Sequence, residues 1–146
     1  MAKLVDARDS KSRGGNIMSV RVRPPAPKKG FVYMCSSVEC IFCRIIARTI
    51  PATIINETDK LIVIKDIAPS APIHYLIIPK KHIINLASFT TEDRDILASD
   101  IFSCAQQLSE SDPDAKNFRL SVNNGYGAGQ RVFHVHFHFL AGFNKE

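Results

Sequence analysis

From Cys40 onward the chain alternates between short apolar runs and polar, turn-forming stretches, and the period of the apolar positions changes from run to run. Residues 41–48 carry a helical period stopped by Pro51, which predicts one short helix. Residues 53–56 and 61–65 are β-branched runs separated by Glu57-Thr58-Asp59-Lys60, which predicts two strands and a turn. Residues 74–78 form a third strand run, closed by Pro79. Thr90-Thr91-Glu92-Asp93 sets a hydroxyl and then acids where a helix begins: the hydroxyl accepts from an unpaired backbone N–H, and the acids face the positive end of the helix dipole. Leu97, Ile101, Cys104, Ala105 and Leu108 then fall on one face of a long helix, with Cys104 as a core residue. Residues 109–116 are polar and turn-forming. Residues 118–122 and 132–140 read as the last two strands, with a glycine-rich loop over 123–130 between them. Strands in this order with one short and one long helix predict an α+β domain built on an antiparallel sheet.

Residues 1–33 break the pattern. They hold the run Pro24-Pro25-Ala26-Pro27-Lys28-Lys29-Gly30 and no sustained period. Such a stretch buries too little apolar surface to offset its ordering entropy, and it reads as a basic disordered tail before a domain spanning 34–146. The formal charge of +5 is concentrated there. Eight basic side chains in the tail stand against two acidic ones, whereas the rest of the chain has eleven basic and twelve acidic. The folded part has no charge signature for nucleic acid, which is not expected as a partner. The tail also resembles a translated tRNA gene: Val20-Arg21-Val22 can be encoded by the T-loop consensus GTTCGAGTC, and Ala26-Pro27 by a stretch ending in CCA. On that reading the native start is Met34; on the other, the tail is a genuine basic arm. No apolar run approaches the roughly 20 residues that cross a bilayer, and no apolar segment follows the basic N-terminus as in a secretory signal. Cys35, Cys40, Cys43 and Cys104 do not form a disulfide framework, so the expected compartment is a reducing cytoplasm, with no membrane partner.

Candidate chemistry is concentrated in Phe133-His134-Val135-His136-Phe137-His138-Phe139-Leu140. Residues two apart on an extended chain share a face, so the three histidines point one way while Val135, Phe137 and Phe139 point into the core. Three imidazoles in register are costly to bury without partners. Two chemistries use such a row. Neutral imidazoles bind metal. Alternatively, one imidazole attacks phosphorus while its neighbours supply protons and hold oxygens. The loop before the run favours the second, because Gly125, Gly127 and Gly129 permit positive φ and let backbone N–H groups face an anion. Cys40-x-x-Cys43 has the spacing of a metal-ligand pair.

The run from His134 to Leu140, with an apolar residue after each histidine, resembles the signature of the histidine triad family. The resemblance extends, in order, through Cys40-Ile41-Phe42-Cys43-Arg44-Ile45-Ile46, Ile50-Pro51, Asp66-Ile67-Ala68-Pro69-Ser70-Ala71-Pro72, His74, Ile78-Pro79-Lys80-Lys81-His82-Ile83, Asn123 and Gly129-Gln130. It spans Cys40 to about Phe143 and is similar to the Hint-type nucleoside phosphoramidases, in the bacterial form that carries a Cys-x-x-Cys pair.

The resemblance implies a homodimer and a purine nucleotide substrate, cleaved at the α-phosphorus of a phosphoramidate or adenylated conjugate. It implies His136 as the nucleophile, forming a nucleotidyl-imidazole that water then hydrolyses. A carbonyl acceptor at Nδ1 of His136 would leave Nε2 as the attacking atom. His138 would contact the phosphate and leaving group, and His74 would support the proton network. Asp66 would accept from the ribose hydroxyls, and Phe42, Ile45, Ile50 and Ile67 would form the slot for the base. Asn123 and the backbone of Gly129, Gln130 and Arg131 would hold the phosphate. No cofactor is implied for catalysis. A structural zinc is implied on Cys40, Cys43, His82 and His134, in which case His134 positions the strand rather than acting in the reaction. The alternatives are a dinucleoside polyphosphate hydrolase and a nucleotide-binding regulatory protein with little turnover. Two departures stand out: Arg131 replaces the small hydroxyl residue usual in the Hint branch, and the Trp-Pro-Pro-Gly tail of the animal proteins is absent. Lys80 and Lys81 read as solvated surface.

Overall fold

The computed structural model describes residues 39–143; the tail expected over 1–33 and the start expected at Met34 lie outside them. A short helix α1 (Ile41–Ile46) opens the described chain. Five strands follow: β1 (Ile54–Glu57), β2 (Leu61–Lys65), β3 (Ile73–Pro79), β4 (Phe118–Val122) and β5 (Phe137–Ala141), with the long helix α2 (Thr91–Ser111) between β3 and β4. The sheet order is β1-β2-β3-β5-β4, and every neighbouring pair is antiparallel. This is the α+β architecture expected from the sequence.

Each face of the sheet has its own core, and the strands divide their side chains between them by parity. Leu61, Val63, Ile77 and Phe139 pack with Leu97, Ile101, Cys104 and Leu108 of α2. Ile62, Ile64, Leu76 and Ile78 pack with Cys40, Phe42 and Ile45 around α1. Burial on both faces explains why β2 is an uninterrupted apolar run rather than an alternating one. Helix α2 starts where its cap was expected: Thr90 Oγ1 accepts from the Asp93 N–H, and the Asp93 carboxylate accepts from the Thr90 N–H. Lys81 Nζ, 2.5 Å from Asp93 Oδ1, ties the segment after β3 to that cap. Lys80 pairs with Glu57, which Arg48 also bridges. Lys80 and Lys81 are therefore anchored, not simply solvated.

Strands β1 and β3 differ from expectation by one residue at each end, and three other boundaries differ by more. Helix α1 ends at Ile46, and Arg48 takes a left-handed φ of 62° in the turn that follows. Helix α2 runs through Ser111 into residues read as a turn. Strand β5 begins at Phe137, not at residue 132. Strand β4 ends in register with that residue, at Val122, and the pairing of β5 with β3 ends there too, at Ile77, although β3 runs on to Pro79 beside β2. The chain over 132–136 therefore has no ladder partner and leaves the sheet toward α1.

Candidate functional site

The three histidines of the run still line one side of the chain, although of these only His138 lies in a strand. The Phe42 ring meets His134 and His136 edge-on, at centroid distances of 5.8 and 5.0 Å, and the His136 and His138 rings are 5.0 Å apart. Val135 and Phe139 point to the α2 core as expected, with Phe137 packed against it. The register pairs His74 with Leu140 and Leu76 with His138, so His74 and His138 are diagonal neighbours on one face of β3 and β5.

Hydrogen bonds fix the proton position on each ring. His136 Nδ1–H donates to the His134 carbonyl at 2.8 Å, which leaves the Nε2 lone pair bare. The Ser70 N–H donates to His74 Nδ1 at 3.1 Å, so the neutral ring carries its proton on Nε2. That Nε2–H donates to His138 Nδ1 at 3.0 Å, which in turn leaves the His138 proton on Nε2. His138 Nε2–H is buried and has no hydrogen-bond partner among the described residues. The result is a bare nitrogen on His136 beside an unspent donor on His138. Asp66 Oδ2 lies 3.4 Å from His74 Nε2, and Asp66 Oδ1 accepts from the Ala68 N–H at 2.8 Å. Asp66, His74 and His138 converge closely enough to hold a cation. However, the Ser70 N–H occupies the one lone pair of the neutral His74 ring, so this group forms a proton chain rather than a ligand set.

Burial keeps the row neutral. Desolvation, then the neighbouring His136 and His74 rings, push His138 down to about 4, and only Asp66 opposes the shift. Desolvation also lowers His136, against the opposing effects of the His134 carbonyl and Asp66. Desolvation takes His134 down to about 4 as well, although its bond to Pro79 acts the other way.

A second cluster lies at the start of the run. His134 is fully buried and its Nε2–H donates to the Pro79 carbonyl at 2.7 Å. Its bare Nδ1 faces Cys40 Sγ at 3.4 Å, Cys43 Sγ at 3.5 Å and His82 Nδ1 at 3.2 Å. Cys43 Sγ is 3.2 Å from His82 Nδ1. A tetrahedral zinc with ordinary bond lengths sets its ligand atoms about 3.3 Å apart for two nitrogens and about 3.6 Å for a nitrogen and a sulfur. The cluster matches that polyhedron, with the two Nδ1 atoms 3.2 Å apart and all four donor atoms within 4.8 Å of one another. The donor set therefore fits zinc.

The other expected site residues divide into two groups. Phe42, Ile45, Ile50, Asp66 and Ile67 line one cleft of about 360 Å³, whose lip is Ile67, 91% exposed. Ile41, Thr53, Ile64 and Leu76 also line it and were not anticipated; the three aliphatic ones read as core from sequence alone. The glycine-rich loop adopts positive φ at Gly125 (86°) and Gly129 (94°), around a single turn Tyr126–Ala128. Asn123 Nδ2 packs against Gly129, 3.7 Å from where a side-chain carbon would stand. Gln130 and Arg131 are spent on the loop itself. The Gln130 amide is buried, accepts from the Gly125 N–H and donates to the carbonyls of Ile84 and Val132. The Arg131 guanidinium lies over the Tyr126 ring at 4.8 Å and donates to the Tyr126 carbonyl. Sequence reasoning missed Ser70 and Pro79, which set ring protons through backbone groups and so carry no residue-type signal.

Comparison with known proteins adds the family. Residues 39–145 match the family described as scavenger mRNA decapping enzyme C-terminal binding. An uncharacterized HIT-like protein of Synechocystis is 41% identical over 104 residues, covering 71% of this chain and 90% of that protein. A HIT family hydrolase from Clostridium thermocellum is 45% identical with a TM-score of 0.69, covering 74% of this chain and 94% of that one. A zinc-bound histidine triad family protein from Mycobacterium smegmatis is 28% identical with a TM-score of 0.64, covering 76% of this chain and 80% of that one. No described helix is long and apolar enough to cross a membrane. With the imidazole row, the sheet and these likenesses in agreement, the chain belongs to the histidine triad family.

Proposed function

We propose that the protein hydrolyses purine nucleotide conjugates, phosphoramidates or adenylates, at the α-phosphorus. One observation carries the reading: the His134 carbonyl holds the His136 proton on Nδ1 and leaves Nε2 bare beside the unspent His138 donor. A neutral imidazole is a workable nucleophile at pH 7, and the lowered pKa keeps His136 neutral. Nε2 of His136 attacks phosphorus, the bond to the leaving group breaks, and His138, made imidazolium by the phosphate bound opposite its Nε2–H, gives that proton to the departing amine or oxygen and returns to neutral. Water then attacks the nucleotidyl-imidazole, giving up its proton to His138, and His136 leaves. His74 holds the His138 tautomer and relays charge toward Asp66.

Asp66 stands between the cleft and the relay, with a second lone pair on each oxygen for a ribose hydroxyl. Phe42, Ile45, Ile50 and Ile67 take the base in the cleft. Asn123 and the backbone at Gly129, Gln130 and Arg131 take the phosphate, while the Arg131 side chain stiffens the loop. Cys40, Cys43, His82 and His134 hold zinc, which supplies structural cross-linking and no step of the reaction. A homodimer forms across the free edge of β4. A groove of about 390 Å³ lined by Leu86, Phe89, Phe102, Leu120 and Phe137 opens on that side, with Phe102 67% exposed, and a second copy is its occupant.

The test is turnover of an adenosine phosphoramidate by the wild type and by His136→Ala, with a diadenosine polyphosphate in parallel. Loss in the variant with nucleotide binding kept supports the reading. Faster cleavage of the polyphosphate moves the substrate class. A folded wild type that binds nucleotide and cleaves neither is a binding protein.

A further inference from the structure

The cysteine centre and the candidate nucleophile share one residue. His134 turns its ring to Cys40, Cys43 and His82, and its main-chain carbonyl to His136 Nδ1 at 2.8 Å. The stretch that carries this carbonyl precedes β5 and has no ladder of its own. Its backbone is tied by the Val135 N–H to the Ile83 carbonyl at 2.7 Å, and Ile83 directly follows His82, another member of the cluster. The contact that keeps His136 in its attacking tautomer therefore hangs on the Cys/His centre at both of its supports.

The two sulfurs are placed to react with each other. They are three residues apart at the start of α1 and lie within 4.8 Å, with Cys40 buried and Cys43 half-buried. We propose that Cys40 and Cys43 form a peroxide-sensitive switch on His136, the inference resting on His136 as the nucleophile. The more accessible Cys43 thiolate attacks one oxygen of the peroxide, breaks the O–O bond and becomes a sulfenic acid, releasing hydroxide. Cys40 Sγ then attacks that sulfur, forms the S–S bond and expels the second oxygen. Two electrons pass from the two thiolates to the peroxide, whose oxygens leave as two hydroxides and take up protons from solvent to become water. Disulfide sulfurs hold no zinc and donate no proton. Drawn together to a disulfide bond length, the two sulfurs withdraw from His134 Nδ1, which they face at 3.4 and 3.5 Å, and the fully buried ring loses them as partners. The rings part, the His134 carbonyl moves with its residue, and the His136 proton redistributes onto Nε2, which then has no lone pair for attack.

The experiment uses the full-length, zinc-loaded protein and follows the ring nitrogens of His136 by NMR while hydrogen peroxide is added. The expected reduced state has the proton on Nδ1 alone. On oxidation, peptide mapping finds Cys40 joined to Cys43, a chromophoric chelator captures the released zinc, and His136 becomes a mixture of tautomers. Turnover falls about tenfold or more, and thiol reductant with zinc restores both. A disulfide with zinc released and an unchanged His136 spectrum overturns the switch, as does peroxide that leaves the pair unlinked. The tautomer signal is read without substrate, so a wild type inactive on every nucleotide conjugate defeats the hydrolase reading and leaves this test intact.

Discussion

His134 and His138 sit in the same run, and burial drives both to about 4. Their second nitrogens separate them. His134 spends Nε2 on a carbonyl and turns Nδ1 into a sealed pocket with two sulfurs and another imidazole. His138 receives the His74 proton at Nδ1 and keeps an unspent N–H on Nε2, at the end of a chain that starts from a backbone amide. One end of the run is closed and complete without a substrate. The other is left one hydrogen bond short. Residue type and spacing are the same at both ends, so the partners of the ring decide whether an imidazole holds the fold or does the chemistry.

The sharpest way to break that comparison is to delete one ring from each class. His136→Ala is expected to lower phosphoramidate turnover by about 10³-fold or more while the melting temperature stays close to wild type. A variant that keeps a tenth of the activity removes His136 from the nucleophile role. At the closed end the pattern reverses. Cys43→Ala, or exhaustive chelation, is expected to lower the melting temperature by about 10 °C or more, since binding energy at such a centre is folding energy. Calorimetry with and without chelator checks it, and an unchanged transition would mean that the four side chains pack without a metal.

A subtler break concerns the loop. Gln130→Ala strips partners from the Gly125 N–H and from the Ile84 and Val132 carbonyls inside the fold. The expected cost is about 2–4 kcal/mol, read from denaturant unfolding. A neutral result would return Gln130 to a direct role with substrate.

These contrasts were unequally legible in the sequence. The strands at Leu61–Lys65 and Phe118–Val122 match expectation residue for residue, because each is short and bounded by polar, turn-forming residues. The α2 cap was legible because Thr90 and Asp93 act through their own side chains. Strand β5 was over-extended because alternation reports which side is buried and says nothing of whether a neighbour is there to pair: Val135 points into the α2 core from a segment with no ladder. The four expected cluster members and the four expected cleft side chains come together, since residue chemistry marked them. The tautomers were out of reach, because each is set by a carbonyl or amide that any residue supplies.

The base cleft offers a smaller test of the open end. Ile50→Ala removes apolar contact without touching any imidazole, so KM should rise about three- to tenfold with kcat nearly unchanged. A fall in kcat of similar size would place Ile50 in positioning rather than affinity.

The smallest effect is a fraction of a proton. Free His138 is neutral near pH 6, because desolvation and its imidazole neighbours hold it near 4. A bound phosphate sets negative charge opposite Nε2–H, which favours the imidazolium and raises that pKa toward the ordinary value of 6.5. Between about pH 4 and 5, below the second ionisation of the phosphate near 6, a nucleoside monophosphate should therefore take up protons as it binds, less than one per site, and its affinity should strengthen as pH falls through that window. The sign for folding is opposite: an unfolded chain protonates His138 first, so its contribution costs stability as pH drops from 6.5 toward 4. Titration calorimetry in buffers of different ionisation enthalpy measures the uptake, and His74→Gln should shrink it by removing the ring that feeds His138 its hydrogen bond. Proton release on binding would mean that the phosphate does not face His138, and the open end of the run would lose its donor.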